Sequence, residues 1–433
     1  MELRSLYESS NTPLAFVGRM RHLMGLQDSR GGAYRDQAGN PLLRDPATAG
    51  RIRPNEVSLR GLCEAICGDG AVDRYFAPGV TAVASLYQEA MTRPFHEAGA
   101  GTGAIGPSAF ANINAFTGVV AGLLEVSIIE GFNLPEFISD RLFPAKPTRI
   151  FEGRKMRGVA GPGDKAEERL PGQPTKRVKF GERYMTQPRT VENALAVEVL
   201  QETIYLDDTG QATEEANNLG QWLGYRKELR CIDEFIGVTN TYNYNGTSYN
   251  TFLTSGVYIN DKVSNPITHY TAFKALELLF RDMTDPSTGV RTLIQPNAIL
   301  VNRGKLIETQ ALLSPLATVQ VRDNVGAGQV ISQGPNIIAN RNYQIMESPL
   351  VYERMTASDG LAWSASDADG GFFMFEMGKG GEYAQNWPLR VQQAAPGQLD
   401  MIDRGVVMYV KADERGIPWT TEPRRKCRSK PGS

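Results

Sequence analysis

Between residues 147 and 190 the chain reads strand, loop, strand, and the far end of this stretch has almost nothing to bury, so any fold it adopts must supply the arm with a partner. Val178, Phe180 and Tyr184 alternate with Lys179, Glu182 and Arg183, the period-two pattern of an exposed antiparallel strand. The far end, Gly158 to Pro174, is polar and broken by Gly and Pro. Eleven Arg and Lys against five Asp and Glu give the segment a local charge of +6. A two-stranded arm with a polar tip is unstable alone in water, and the expected partner is a neighbouring subunit. Arg154, Lys155, Arg157, Lys165, Arg169, Lys176 and Lys179 are the residues expected to meet it.

Around this ribbon the pattern is helical and mixed. Residues 1–106 carry short helical runs such as Leu59, Leu62, Cys63 and Ile66, with Gly68 placed as a stop, and end in the Gly/Ala run Ala98–Gly106 before Pro107. Phe110 to Glu130 is apolar and predicted helical. Leu195, Val197 and Val199 alternate as a strand. Asp207-Asp208-Thr209-Gly210 then announces a helix over 211–236, with Ala212, Ala216, Leu219, Leu223, Leu229, Ile232 and Ile236 on one stripe and Gly237 closing it. Asn245-Gly246 between tyrosines is a hairpin turn. Asn265-Pro266 opens a second helix bearing Phe273, Leu276, Phe280 and Met283, with His269 in its first turn. Ala298–Val301 is a buried strand followed by a helix over 305–313. Further strands are expected at 318–321, 343–346, 371–376 and 405–411, ahead of a solvated basic tail, Arg424 to Lys430. The fold class is α+β.

Lys plus Arg total 46 against 48 Asp plus Glu, which excludes a histone-like nucleic-acid binder and leaves only local or non-specific contact. The opening residues lack the apolar core of a signal peptide, Phe116–Ile129 is too short and interrupted to span a bilayer, and four scattered cysteines make no disulfide framework. An intracellular protein without membrane contact is expected.

The catalytic and metal motifs fail one by one. Gly101-Thr-Gly-Ala-Ile-Gly106 fits a dinucleotide fingerprint, but no strand precedes it and Pro107 follows. His96-Glu97 begins a zincin motif whose second histidine is Ala100. Cys63 and Cys67 have no second ligand pair nearby. Asp367, Asp369 and Glu376 approach an EF-hand loop, but its first ligand position is Ala365, and the stretch is expected to be a hairpin turn. With three histidines (His22, His96, His269) and no activated nucleophile, no cofactor, metal or catalytic residue is assigned. Asp207-Asp208 is explained by helix capping.

The order of elements, with Ile105–Ile113 through Pro135–Asp140, Phe180-Gly-Glu-Arg-Tyr184, Asp207–Gly210 with Arg230–Ile236, Pro296–Val301, Trp387-Pro-Leu389, Asp403-Arg404, Glu414-Arg-Gly416 and Glu422-Pro-Arg424, resembles the Hong Kong 97-type major capsid proteins of tailed phages and prophages over residues 105–430. The resemblance implies that 107–146 is an N-terminal arm and that 147–192 is the E-loop ribbon lying over an adjacent subunit. It implies a peripheral domain from 193–262 and 386–433, with the spine helix and basic tail, and an axial domain from 263–385. Residues 1–106 would be an extra segment, scaffold-like and cleaved in some relatives. Some relatives also cross-link through a ribbon lysine; no position here is matched to that role. The implied function is a non-enzymatic subunit forming hexamers, pentamers and an icosahedral virion shell around double-stranded DNA. Assembly in the host bacterial cytoplasm would involve a portal, a scaffold or a maturation protease. An encapsulin-like compartment shell is the alternative, and a nucleotide- or metal-binding enzyme a remote second.

Overall fold

In the computed structural model, the described residues are 58–67, 107–157, 184–206, 210–256, 258–284, 291–314, 318–323, 330–335, 341–394 and 404–432, with isolated positions 17, 20, 23 and 171. They contain α1 (Leu59–Cys67), α2 (Pro107–Phe132), α3 (Ser139–Leu142), β1 (Ala145–Pro147), β2 (Lys155–Arg157), β3 (Tyr184–Thr186) and β4 (Val191–Leu200). Then come α4 (Gln201–Leu206), α5 (Gln211–Ile236), β5 (Thr241–Tyr244), β6 (Thr247–Asn250), β7 (Asp261–Val263), α6 (Tyr270–Asp282) and β8 (Ala298–Val301). The remainder is α7 (Leu306–Leu313), β9 (Thr318–Asp323), β10 (Val330–Pro335), β11 (Gln344–Glu347), α8 (Pro349–Thr356), α9 (Ala365–Gly370), β12 (Phe372–Phe375), β13 (Gly381–Ala394), β14 (Val406–Thr420) and β15 (Lys426–Lys430). The class is α+β, with sheet orders β1-β13-β14-β4, β10-β9, β11-β8-β12-β15-β7 and β2-β3-β5-β6.

The chain divides into two compact units. One comprises Met1–Leu134, Glu192–Tyr225 and Leu389–Glu414, the other Pro135–Val191, Arg226–Pro388 and Arg415–Ser433. α5, β13 and β14 contribute residues to both. These units differ from the expected domains. The boundary at 106 does not separate anything compact, because Leu59, Leu62, Cys63 and Ile66 of α1 share one apolar core with Phe116, Val119, Leu123, Leu124 and Ile128 of α2. The expected arm over 107–146 therefore begins as a 26-residue helix that is buried on nearly every side from Val119 to Ile128. A helix apolar all round must be enclosed. Pro107 takes the first helical position, where its missing N–H costs nothing.

In the same unit, α2 and the first half of α5 cross at backbone contact. A Cβ on Gly220 would lie 2.1 Å from the carbonyl oxygen of Ile128, and one on Gly131 2.2 Å from that of Asn217. Asn217 closes the crossing by donating its side-chain amide to Ser127 O at 3.2 Å. The boundaries of α5 match the expected 211–236, and Gly237 ends it at φ +82. The stripe holds at Ala212, Ala216, Leu219, Leu223, Ile232 and Ile236. Beyond Arg226 it departs from the apolar pattern: Leu229 is half-buried while Lys227 and Glu228 are buried. The caps expected from Asp207 and Asp208 lie outside the described residues.

The second unit corrects two more expectations. The basic tail is not solvated. β15 lies inside the five-stranded sheet, antiparallel to β12 (Cys427 opposite Met374) and parallel to β7 (Arg428 opposite Asp261), so the C-terminus belongs with residues expected to form a separate axial domain. Four of the tail's five cations pair with an acid, Arg424 with Glu422 at 2.7 Å, Arg425 with Glu376, Arg428 with Asp261, and Lys430 with Asp367 at 3.4 Å, and Lys426 bonds backbone carbonyls. The expected hairpin turn at 365–370 is the short helix α9, capped by Ser364, whose Oγ accepts the Asp367 N–H. Its neighbour Asp367 is buried against Lys430, and among the described residues no group of three His, Cys, Asp or Glu could hold a metal. The second helix starts at Tyr270, with His269 as an exposed N-cap instead of a first-turn residue. Phe273, Leu276, Phe280 and Met283 pack as expected with Ile299, Val301, Phe372 and Met374.

The α2–α5 crossing generates a test. Gly220→Ala forces a methyl group onto a backbone carbonyl and is expected to cost about 1–3 kcal/mol, read as a lowered urea midpoint by circular dichroism. Glu215→Ala, exposed on the same helix, is expected to stay within about 0.5 kcal/mol. Equal midpoints for the two variants would refute the crossing.

Candidate assembly surface at the foot of the ribbon

The second unit carries the base of the ribbon expected from the sequence. β2 pairs antiparallel with β3, Lys155 opposite Thr186 and Arg157 opposite Tyr184. Below them the ladder continues through Gln187 N to Arg154 O at 2.9 Å, Gly153 N to Gln187 O at 3.1 Å and Thr190 N to Phe151 O at 2.8 Å. The hairpin of β5 and β6 extends this sheet through Met185 opposite Tyr244. Its turn residues Asn245 and Gly246 sit at φ +53 and +83, as a two-residue hairpin turn requires. Met156, Met185, Tyr242 and Tyr244 pack this sheet onto Ala384, Ile417 and Trp419.

Of the seven basic residues assigned to a neighbour, Lys165, Arg169, Lys176 and Lys179 lie outside the described residues, and only the backbone of Arg157 is described. Lys155 is exposed on β2. Arg154 is committed within its own chain: its Nη1 lies 3.4 Å from Oε1 of the buried Glu382, which also takes Lys146 Nζ at 2.7 Å. Removing a cation from a buried carboxylate destabilises the fold itself, so Arg154 is a structural residue as well as a ribbon residue.

Residues the sequence reading passed over make up the outer face of the foot. Phe151 is 48% exposed. The guanidinium carbon of Arg415 lies 4.1 Å from its ring centroid and 5.4 Å from that of Trp387, and the two rings meet edge to face at 6.4 Å. Arg415 Nε also donates to Thr190 Oγ1 at 3.2 Å. This cation–π sandwich joins the start of the ribbon to its end, and Ile150 beside it is half exposed. Trp387 lies within a quoted motif, but its pairing with Phe151 spans 236 positions and left no local signal.

Behind the foot, the last turns of α5 hold three acids whose pKa values burial raises: Glu228, Asp233 and Glu234. Glu228 is fully buried and accepts the N–H groups of Ile138 (3.1 Å) and Ser139 (2.7 Å), fixing the chain where it turns toward the ribbon. Asp233 receives Arg354 Nε at 2.6 Å. Glu234 Oε1 accepts both the N–H (3.0 Å) and the hydroxyl (2.6 Å) of Thr420. Lys426, 2% exposed, donates to Glu234 O and Phe235 O at 3.2 Å each. Burial lowers its pKa to about 8 against the support of Glu234.

No family model matches the sequence, and no curated protein matches it. The solved structures to which the chain is similar are mostly phage capsids. A phage-related protein from Bordetella bronchiseptica is 14% identical with a TM-score of 0.40, covering 71% of this chain and 95% of that one. The capsid of cyanophage P-SCSP1u is 12% identical with a TM-score of 0.39, covering 68% and 88%. The SrpI encapsulin complex of Synechococcus elongatus is 10% identical with a TM-score of 0.40, covering 67% and 86%. Among the described residues, no helix is long and apolar enough to cross a membrane.

Glu228 sets a pH dependence. With its pKa raised above the ordinary 4.5, the native chain keeps a proton that the unfolded chain has lost, so this group's stabilising contribution is present below pH 4.5 and lost as pH rises through the raised native value. Glu228→Gln, uncharged at every pH, is expected to flatten that decline. Urea midpoints measured from pH 4 to pH 8 check it; an unchanged slope refutes the assignment.

Proposed function

We propose that this chain is the major capsid subunit of a tailed phage or prophage, building a closed shell around double-stranded DNA through contacts made by its basic ribbon. The observation that carries the reading is the ribbon base, β2 against β3, leading out to a segment whose sequence carries a net charge of +6. The order of elements supports it: ribbon, 26-residue helix, mixed five-stranded sheet, then the long returning strands β13 and β14. That order is the one implied by the sequence resemblance. The exposed Ile150 and Phe151 at the foot fit a surface that is covered when copies meet. Shell energy in this reading is spread over many modest, repeated interfaces. The subunit would work in the virion, assembled in the host cytoplasm beside a portal, a scaffold or a maturation protease, and would touch DNA without sequence preference.

Arg154 holds the subunit itself through Glu382, and the ribbon's remaining cations are proposed to meet a neighbour. Lys155→Glu with Arg157→Glu is expected to reduce shell formation at least tenfold. Arg154→Glu is expected to lower the melt itself, since it sets a second carboxylate beside Glu382. Negative-stain microscopy and sedimentation of the expressed chain read assembly. Nuclease-protected DNA inside the particles supports the virion reading, whereas an enclosed protein cargo replaces it with a compartment shell. A chain that stays monomeric with its scaffold and protease co-expressed sinks both.

A further inference from the structure

Asn245-Gly246 is the one Asn-Gly step in the chain, and it forms the turn between β5 and β6 with both residues at positive φ, +53 and +83. Both residues are exposed. A Cβ placed on Gly246 would meet nothing within 4 Å, so the space beside it is open. The same hairpin carries two further exposed asparagines, Asn243 before Tyr244 and Asn250 before Thr251. Three side-chain amides of one hairpin thus share their exposure and differ in the residue that follows. Asn245 alone precedes a residue without a Cβ. Glycine leaves both the approach to its nitrogen and the backbone rotation needed for ring closure unhindered.

We infer that Asn245 is a site of spontaneous deamidation and that its isoaspartate product unlocks the β5–β6 hairpin. The Gly246 nitrogen attacks Cγ of Asn245. The bond from Cγ to the side-chain nitrogen breaks, and ammonia leaves with the proton that the Gly246 nitrogen gives up. Water then opens the five-membered imide at one of its two carbonyls. Opening at the side-chain carbonyl gives aspartate; opening at the backbone carbonyl gives isoaspartate, in which Gly246 stays bonded to Cγ. The sum is amide plus water to carboxylic acid plus ammonia, with no oxidant or cofactor. Either product adds a negative charge to the turn. Isoaspartate also adds one atom to the main chain of a two-residue turn whose geometry sets the strand register. That register places Tyr244 opposite Thr247, Asn243 opposite Ser248, Tyr242 opposite Tyr249 and Thr241 opposite Asn250. Tyr242 and Tyr244 pack with Met185, Ala384 and Trp419, so a lost register loosens the sheet at the ribbon base. The inference does not depend on the shell-subunit reading.

Full-length chain is aged in mildly alkaline buffer, digested and mapped by mass spectrometry, with an isoaspartate-specific methyltransferase marking that product. Conversion, a gain of about 1 Da per site, is expected to run at least about tenfold faster at Asn245 than at Asn243 or Asn250. Equal rates at the three asparagines overturn the site. Hydrogen exchange of the aged, undigested protein reads the consequence. Amides of residues 241–250 are expected to lose protection in molecules carrying isoaspartate and to keep it in Asn245→Asp, which has the charge without the extra atom. Protection kept in the isoaspartate molecules, or lost equally in Asn245→Asp, overturns the unlocking by the added atom.

Discussion

The second unit is organised by two cations of the last strand seated on the end of the long helix. Lys426 Nζ bonds the carbonyls of Glu234 and Phe235, and Arg428 Nη1 reaches that of Ile236 at 3.4 Å. These oxygens are among those a helix terminus leaves without partners, at the negative end of its dipole. Lys426 also bonds Thr420 Oγ1 at 3.1 Å, and that hydroxyl donates to Glu234. The rings of Phe252 and Phe235 lie 5.1 and 5.4 Å from the ammonium. A buried ammonium is costly to desolvate, which is why its pKa falls. The site offsets that cost with three acceptors, an acid and two ring faces. Because β15 separates β12 from β7, the five-stranded sheet is complete only when the end of the chain arrives, and the helix terminus is capped by the same event.

The elements legible in the sequence were those whose signals are local. The bounds of α5 follow from its stripe and Gly237, and the hairpin from Asn245-Gly246. The apolar faces of α6 and β8 follow from periodicity. Arg424 to Lys430 misled because charge on a terminus reads as solvated unless its partners are visible, and these partners are not local: Asp261 is 167 positions from Arg428. The same holds within α5. Lys227 and Glu228 are buried where the stripe favours Leu229, because Lys227 pairs with Asp140 at 2.7 Å and Glu228 binds the N–H groups of Ile138 and Ser139. A helix periodicity cannot reveal two backbone donors some 90 positions away.

The ribbon was legible as a strand pair in need of a partner, and β2 against β3 supplies its base. The features around its foot were not. The Phe151–Arg415–Trp387 sandwich draws on segments near 150, 387 and 415, and nothing in the spacing of those segments links them. Conversely, the near-EF-hand pattern looks chemical in isolation and loses that meaning in three dimensions. Asp367 faces Lys430, and Glu376 is held by Lys379 and Arg425; two of the three acids of the near-EF-hand pattern are engaged in ion pairs.

Under the proposed function a subunit must be stiff within itself and adhesive toward its copies, and the buried charges of this chain serve the first demand. Arg154, Arg354, Arg424, Lys426 and Arg428 each meet acids or carbonyls of their own unit, in surroundings where leaving one partner alone is heavily penalised. Such pairs fix geometry more than they add free energy. Under the proposed function, the cations further out along the ribbon are the ones that would meet a neighbouring copy. Their attraction is screened over about 8–10 Å at ordinary salt, so each contributes little until the surfaces are close. Weak, salt-sensitive contacts repeated over many copies allow misplaced subunits to leave before a shell closes, whereas pairs as deep as Arg424–Glu422 at an interface would trap them. The basic ribbon therefore fits reversible assembly better than it fits a permanent clamp.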